Sequence, residues 1–208
     1  MQERIARLIA HWQKRNITGI YCPDRVAFEQ ALSEAIPSGA HAGISGSVTL
    51  QQLDVVRGLQ SRGVHVFDPA KAASREENLA VRRQGAQADY YLASPNAVAE
   101  SGEMVFLSAY GNRTAGISYA AKKTVIIAGV NKLVPTLTEA LQRAREYATP
   151  LNCKRLSWNT PCFSDGICRE RECFLPEYKR MCCQVLILEA EAVKGRMTAI
   201  LVDEPLGF

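Results

Sequence analysis

Six of the seven cysteines of this 208-residue chain lie between residues 153 and 183, and only Cys22 lies elsewhere. Thiolates bind zinc and iron–sulfur clusters, and four of them complete a tetrahedral site. The candidate ligands are Cys162, Cys168, Cys173 and Cys182. Five, four and eight residues separate successive members of this set, so it lacks the CxxC pairs of common zinc and ferredoxin sites. A metal site and a loop of reduced, partly buried cysteines are both open interpretations.

A second candidate site is the small-residue run GISGSVT at residues 43–49, between a predicted strand and a predicted helix. Around Gly46, small side chains let backbone amides approach an anion, and the hydroxyls of Ser45 and Ser47 can add hydrogen bonds. The alternative is a tight turn in which Thr49 caps the helix. The run matches neither the P-loop nor the dinucleotide-binding fingerprint, so it predicts an anion site without identifying the anion.

Two further loops each place an amide beside a cation, just after an apolar strand. They are Asn112-Arg113 and Asn131-Lys132. Such pairs are suited to binding phosphate or carboxylate groups. The alternative is that asparagine caps each loop while the cation faces solvent.

A polar stretch at residues 94–103 contains two carboxylates, Glu100 and Glu103. Either can act as a general base, or as a nucleophile toward an activated acyl group. The alternative is a hairpin with Gly102 at a positive φ and both carboxylates in solvent.

Alternating strands and helices are predicted to position these residues. Strands are expected at residues 20–22, 40–44, 64–67, 90–93, 104–107, 124–130, 184–188 and 197–202. Several are continuous apolar runs, which indicates an α/β protein with a mostly parallel sheet flanked by helices. Residues 151–183 show no sustained period. We therefore expect one α/β domain over residues 1–208, with a cysteine-rich insertion at 151–183.

Composition limits the function classes. The chain has 25 basic and 21 acidic residues, 47% hydrophobic and 22% charged residues, a profile typical of a globular protein. The charges form no basic stripe, so nucleic-acid binding is not expected. Apolar runs fall far short of the ~20 residues that span a bilayer, so neither is membrane insertion. Without an apolar signal core, a cytoplasmic location is expected, where thiols stay reduced and favour metal or redox chemistry over disulfides.

Several separated segments together resemble the LUD-domain proteins, a family named for lactate utilisation. The segments are GISGSVTL at residues 43–50, SPNAVAESGE at 94–103, GNR at 111–113, GVNK at 129–132 and LVDEPLGF at 201–208. Two more, PLNCKRL at 150–156 and TPC at 160–162, resemble a subgroup that carries a cysteine-bearing segment. In that subgroup the second and third cysteines form a CxxC pair, whereas CREREC at 168–173 is two residues longer.

The resemblance implies a fold like that of ribose-5-phosphate isomerase A, glucosamine-6-phosphate deaminase and the CoA transferases. It also implies a role in lactate oxidation, where family members act with iron–sulfur partner proteins. The leading hypothesis is an accessory protein that binds an anionic metabolite or cofactor, and a zinc ion or iron–sulfur cluster. The alternative is an enzyme that acts on a CoA ester or sugar phosphate through a glutamate. In a third interpretation, the cysteine segment only docks a partner.

Overall fold

The computed structural model describes residues 2–169 and 172–208. Its strands are β1 Ile17–Cys22, β2 His41–Ile44, β3 His65–Phe67, β4 Tyr90–Ala93, β5 Ala97–Ala99, β6 Met104–Ser108, β7 Lys123–Gly129, β8 Leu133–Val134, β9 Gln184–Leu188 and β10 Met197–Val202. Its α-helices are α1 Gln2–Lys14, α2 Arg25–Ala35, α3 Val48–Gln52, α4 Val55–Ser61, α5 Arg75–Ala86, α6 Asn112–Ala115, α7 Leu137–Gln142, α8 Thr149–Arg155 and α9 Cys162–Asp165.

The main sheet has six strands in the order β1-β10-β7-β4-β2-β3, and all of its pairs are parallel. Alternate residues of its central strands enter two hydrophobic cores, one on each face. In β7, for example, Ile127 packs on one face and Ile126 on the other. Helices α2, α3 and α4 contribute to the first core, and α1 contributes to the second. The prediction of a mostly parallel α/β fold flanked by helices is confirmed.

A second, four-stranded sheet has the order β8-β5-β6-β9. Strand β6 is antiparallel to both β5 and β9, whereas β5 pairs with β8 in parallel. Buried side chains of β5 and β6, such as Val98 and Phe106, enter the second core beside Trp12 of α1. The sequence patterns did not predict this sheet, because β5 and β8 span only three and two residues.

Local structure differs from expectation between β2 and α4. Ser47, rather than Thr49, is the N-cap of α3, because its side chain accepts a hydrogen bond from the Leu50 amide. The single helix predicted after residues 43–49 is divided into α3 and α4 at Asp54, which adopts a left-handed conformation with φ of 50°.

Strand β2 also packs closely on α5, where a side chain at Gly43 has no room. A Cβ atom there would lie 2.0 Å from the carbonyl oxygen of Gly85. A Cβ atom at Gly46, three residues further along, would meet no atom within 4 Å. The first glycine therefore allows strand and helix to approach, whereas the second faces open space.

The cysteine-rich stretch 151–183 follows a long helical region. Helices α7 and α8 are joined by the π-helical segment Arg143–Ala148. Near the end of the stretch, Cys182 packs with Ala140 and Ala144 in a small third core. The assignment of residues 1–208 to one domain with an insertion at 151–183 remains a prediction. None of the helices described is long and apolar enough to cross a membrane.

Candidate anion-binding cleft

Polar residues gather at the carboxyl ends of three adjacent parallel strands. Ser45 follows β2 and Ser94 follows β4. Lys132 ends the short 3₁₀ turn after β7. Since β2, β4 and β7 are neighbours in the sheet, their carboxyl ends meet at one edge. Open α/β sheets bind their ligands in the crevice at this edge.

Lys132 is the most buried cation at this edge, with 4% of its surface exposed. Its Nζ donates to Ser94 Oγ at 2.8 Å, Thr49 Oγ1 at 2.9 Å and Pro95 O at 3.0 Å. These three acceptors match the three N–H groups of an ammonium ion. Burial, together with the positive charges of Arg143 and Arg113, lowers the pKa of Lys132 to about 7. A nearby anion would favour its charged form.

A half-open cleft of about 180 Å³ lies beside this lysine. Three arginines, Arg82, Arg113 and Arg155, line it. Among the residues that the structure describes, no aspartate or glutamate lines the cleft. A smaller cavity of about 40 Å³ lies on the Lys132 side and shares Gly46 and Arg113 with the cleft. The two spaces are therefore adjacent and rich in positive charge.

Arg113 is held between the two spaces by backbone carbonyls. Its Nη2 donates to Gly46 O at 2.8 Å, and its Nη1 donates to Leu107 O at 3.1 Å. Burial lowers the pKa of Arg113, and the charges of Arg82 and Arg155 lower it further. The charges of Arg82 and Arg155 thus repel that of Arg113, so a bound anion would relieve that repulsion.

Ser45 supplies a hydroxyl to the same cleft. Only 2% of its surface is exposed, and within the described chain its Oγ has no hydrogen-bond partner. Its backbone amide is already bonded to Leu92 O at 3.1 Å, which holds the residue in place. Buried hydroxyls are normally paired, so an unpaired one beside cations is a candidate ligand contact.

The model of the LUD domain matches residues 5–202, nearly the whole chain. The chain belongs to the LUD-domain family. Membership supports a role related to lactate utilisation, for which the family is named. No curated protein sequence matches this LUD-domain chain.

Solved structures resemble this LUD-domain protein to different extents. A DUF162 family protein from Deinococcus radiodurans is similar over 98% of both chains, with a TM-score of 0.55 and 11% identity. This likeness concerns the fold. Ribose 5 phosphate isomerase A from Neisseria gonorrhoeae is similar over 54% of this chain and 53% of its own, with a TM-score of 0.34 and 20% identity.

Most of the predicted anion-binding residues of this LUD-domain protein line the cleft or the smaller cavity. They are Ser45, Gly46, Ser47, Asn112, Arg113 and Lys132. Asn131 instead holds the C-terminal segment. Its Oδ1 accepts from the Leu206 amide at 3.0 Å, and its Nδ2 donates to Gly207 O at 3.4 Å.

The two carboxylates predicted to be catalytic lie apart from these residues. Glu100 pairs with Arg4 Nε at 2.7 Å, and Glu103 pairs with Arg15 Nη2 at 2.8 Å, both on or next to α1. Glu103 also accepts a short hydrogen bond from Ser101. Neither carboxylate lines the cleft or the smaller cavity. Gly102 has a φ of 108°, as the hairpin alternative requires. A catalytic role for either glutamate remains a prediction to which the geometry adds no support.

The cysteines are mostly buried, and Cys153, which is not one of the four predicted ligands, is among the buried ones. Its thiol lies close enough to that of Cys162 to influence its ionisation. Burial, together with the nearby Cys162 and Cys182 thiols, raises the pKa of Cys153 to about 12. Burial also raises the pKa of Cys173 and of Cys182. In the two described ranges, no three His, Cys, Asp or Glu side chains form a group that could hold a metal ion. The predicted Cys162, Cys168, Cys173 and Cys182 site stays a prediction.

The cysteine-rich stretch contributes a wall of the cleft, which the sequence patterns did not reveal. Arg155 at the end of α8 and Trp158 beyond it both line the cleft. The Trp158 indole is fixed because its Nε1 donates to Lys179 O at 2.6 Å. Arg82 of α5, which the sequence patterns also did not single out, lines the same cleft. No local periodicity indicates that these residues come together.

Proposed function

We propose that this LUD-domain protein binds a small anionic metabolite or cofactor in the cleft, as an accessory to lactate or related organic-acid oxidation. The convergence of Arg82, Arg113 and Arg155 carries the proposal, since no described carboxylate lines the space between them. Clustered cations without counter-charges are costly in a partly buried site, and a bound carboxylate or phosphate offsets that cost.

The ligand's charged group is expected between Arg113 and Ser45. Arg113 offers a planar set of donors, which suits carboxylate and phosphate oxygens. The unpaired Ser45 hydroxyl gains a partner when an anion binds. Lys132 lies behind this position and adds a buried positive charge when protonated. The same anion would therefore interact favourably with Arg113, Ser45 and Lys132.

Binding of defined anions tests this proposal. Isothermal titration with L-lactate, pyruvate and inorganic phosphate should show saturable binding to the intact chain for at least one of them. Arg113→Ala should weaken that binding about ten-fold or more, since a charge-assisted contact contributes about 1.5–3 kcal/mol. Arg57→Ala is the matched control, because it removes the same charge from an exposed position in α4. Equal affinities in both variants would contradict the proposal.

The metal and partner hypotheses concern the cysteine-rich stretch. Cys153 and Cys162 lie close together, and the same stretch forms a wall of the cleft. A metal ion or partner protein bound to this stretch would therefore affect the shape of the cleft. Elemental analysis and visible spectra of anaerobically purified protein test for zinc or iron. Metal that Cys162→Ser removes and that Cys22→Ser leaves in place would support the ligand role. Metal-free wild-type protein would leave docking of an iron–sulfur partner protein as the role of this stretch.

A further inference from the structure

The cleft continues into a larger groove, which a three-carbon acid would leave empty. The groove has a volume of about 670 Å³ and shares Arg82, Tyr110 and Asn112 with the cleft. It lies between α5 on one side and α6 with the start of β9 on the other. The combined space is suited to a ligand with an anionic group in the cleft and a larger body in the groove.

The groove combines apolar surface with hydrogen-bonding side chains. Leu79 and Ala115 provide apolar contacts, and Ser118 and Gln184 provide hydroxyl and amide groups. Gln184 Oε1 already accepts from Thr114 Oγ1 at 2.8 Å, which orients its amide. A heterocyclic base has this complementary character, because its faces are apolar and its edges carry donors and acceptors.

An aromatic side chain stands at the junction of cleft and groove. Tyr110 lines both spaces and is 51% exposed. Its ring and that of Trp158 meet in a T-shaped, edge-to-face arrangement, with 5.9 Å between ring centroids and 75° between planes. Planar bases stack on such exposed rings. Arg82 stands at the same junction, where it can reach the charge of a ligand that spans both spaces.

We propose that the ligand contains a nucleoside phosphate, with its phosphate between Arg113 and Ser45 and its base in the groove against Tyr110. This rests on the proposed anion-binding function and specifies its ligand class. The phosphate satisfies the arginine-lined cleft, and the base covers the aromatic and apolar surface that a small acid leaves exposed to water. A free nucleotide and the nucleotide part of a larger cofactor both present these groups, and the probes below distinguish them.

Trp158 provides a signal for titrations, because Trp12, the other tryptophan, is fully buried in the second core. The probes are AMP, ribose 5-phosphate, adenosine and L-lactate. AMP should bind at least about ten-fold more tightly than ribose 5-phosphate, which has the phosphate but no base. Adenosine, which lacks the phosphate, should bind more weakly than AMP by a similar factor. Coenzyme A and NAD⁺ then distinguish a larger cofactor from a free nucleotide, according to which binds more tightly than AMP.

Two variants separate the groove from the cleft. Ala115→Phe fills the groove from an exposed position and should abolish the preference for AMP while ribose 5-phosphate binds as before. Tyr110→Ala should reduce that preference in the same way. If AMP and ribose 5-phosphate bind equally well to the wild-type protein, the nucleoside inference is wrong and the anion-binding proposal stands. If no probe binds in an Arg113-dependent manner, both are wrong.

Discussion

Lys132 Nζ lies 2.8 Å from Ser94 Oγ, and this contact joins the carboxyl ends of two neighbouring strands, β7 and β4. The same ammonium reaches Thr49 in α3, so one buried cation links three segments around the cleft. Among the described residues, no aspartate or glutamate lines the small cavity that this lysine faces, so its charge both holds these segments together and is available to an anion.

The first prediction concerns stability and pH. The pKa of Lys132 is about 7 in the folded chain, mainly because the side chain is buried. In the unfolded chain it is near 10.4. Between these values the unfolded chain holds the proton and the folded chain does not, so stability rises with pH. Relative to Lys132→Met, the wild-type unfolding free energy should rise by up to about 1.4 kcal/mol per pH unit. Urea unfolding at pH 7 and 9 measures this, and Lys194→Met should keep the wild-type slope.

A second prediction concerns anion affinity and pH. L-Lactate remains ionised throughout the neutral range, so a change in its affinity reflects the protein. Since the pKa of Lys132 is about 7, raising the pH removes a positive charge near the anion. Affinity should fall about three-fold to ten-fold between pH 6 and 8. In Lys132→Met this dependence should vanish. A pH dependence that survives the substitution would assign it to another group.

The sequence patterns predicted the sheet and part of the site for a clear physical reason. Buried parallel strands are continuous apolar runs, and polar residues directly after them lie at the ligand-binding edge. Ser45 and Lys132 were found in this way. Arg155 and Trp158 were missed because they belong to an aperiodic stretch, whose position depends on packing between distant segments.

The glutamates show the opposite limit. Glu100 and Glu103 also lie near a strand, and their acidity suggests catalysis. Their surroundings, however, depend on β5, a three-residue strand stabilised by pairing with β6 and β8. This pairing carries the chain away from the cleft to Arg4 of α1 and Arg15 just beyond it, a long-range arrangement that residue spacing does not encode.

A third prediction compares two glycines near the cleft. Gly43→Ala would place a Cβ atom 2.0 Å from Gly85 O, so strand and helix must move apart. Overpacking of this kind costs about 1–3 kcal/mol. Gly46→Ala meets open space and should change stability by less than about 0.5 kcal/mol. Thermal unfolding measures both. Equal melting temperatures for the two variants would show that β2 and α5 tolerate separation.

The fourth prediction assigns Glu103 a structural role. Burial alone raises its pKa, but hydrogen bonds from Ser101 and its own backbone amide, together with the Arg15 charge, outweigh this and lower it. A carboxyl group whose pKa is lowered by folding stabilises the fold at pH values above its unfolded-state pKa. This stability is lost as the pH falls through the folded-state pKa. Glu103→Gln should therefore destabilise the protein by about 1–3 kcal/mol at neutral pH, and by less in acid.

The same variant separates this role from catalysis. Because Glu103 pairs with Arg15 beside α1 and does not line the cleft, Glu103→Gln should leave anion affinity unchanged. Glu100→Gln, which breaks the pair with Arg4, should also leave it unchanged, at a smaller cost in stability because that pair is more exposed. Loss of binding in either variant, at a temperature where the chain remains folded, would place a carboxylate in the site. It would support the alternative hypothesis of an enzyme that acts through a glutamate. Unchanged binding with reduced stability would make these glutamates the link between the β5–β6 turn and α1.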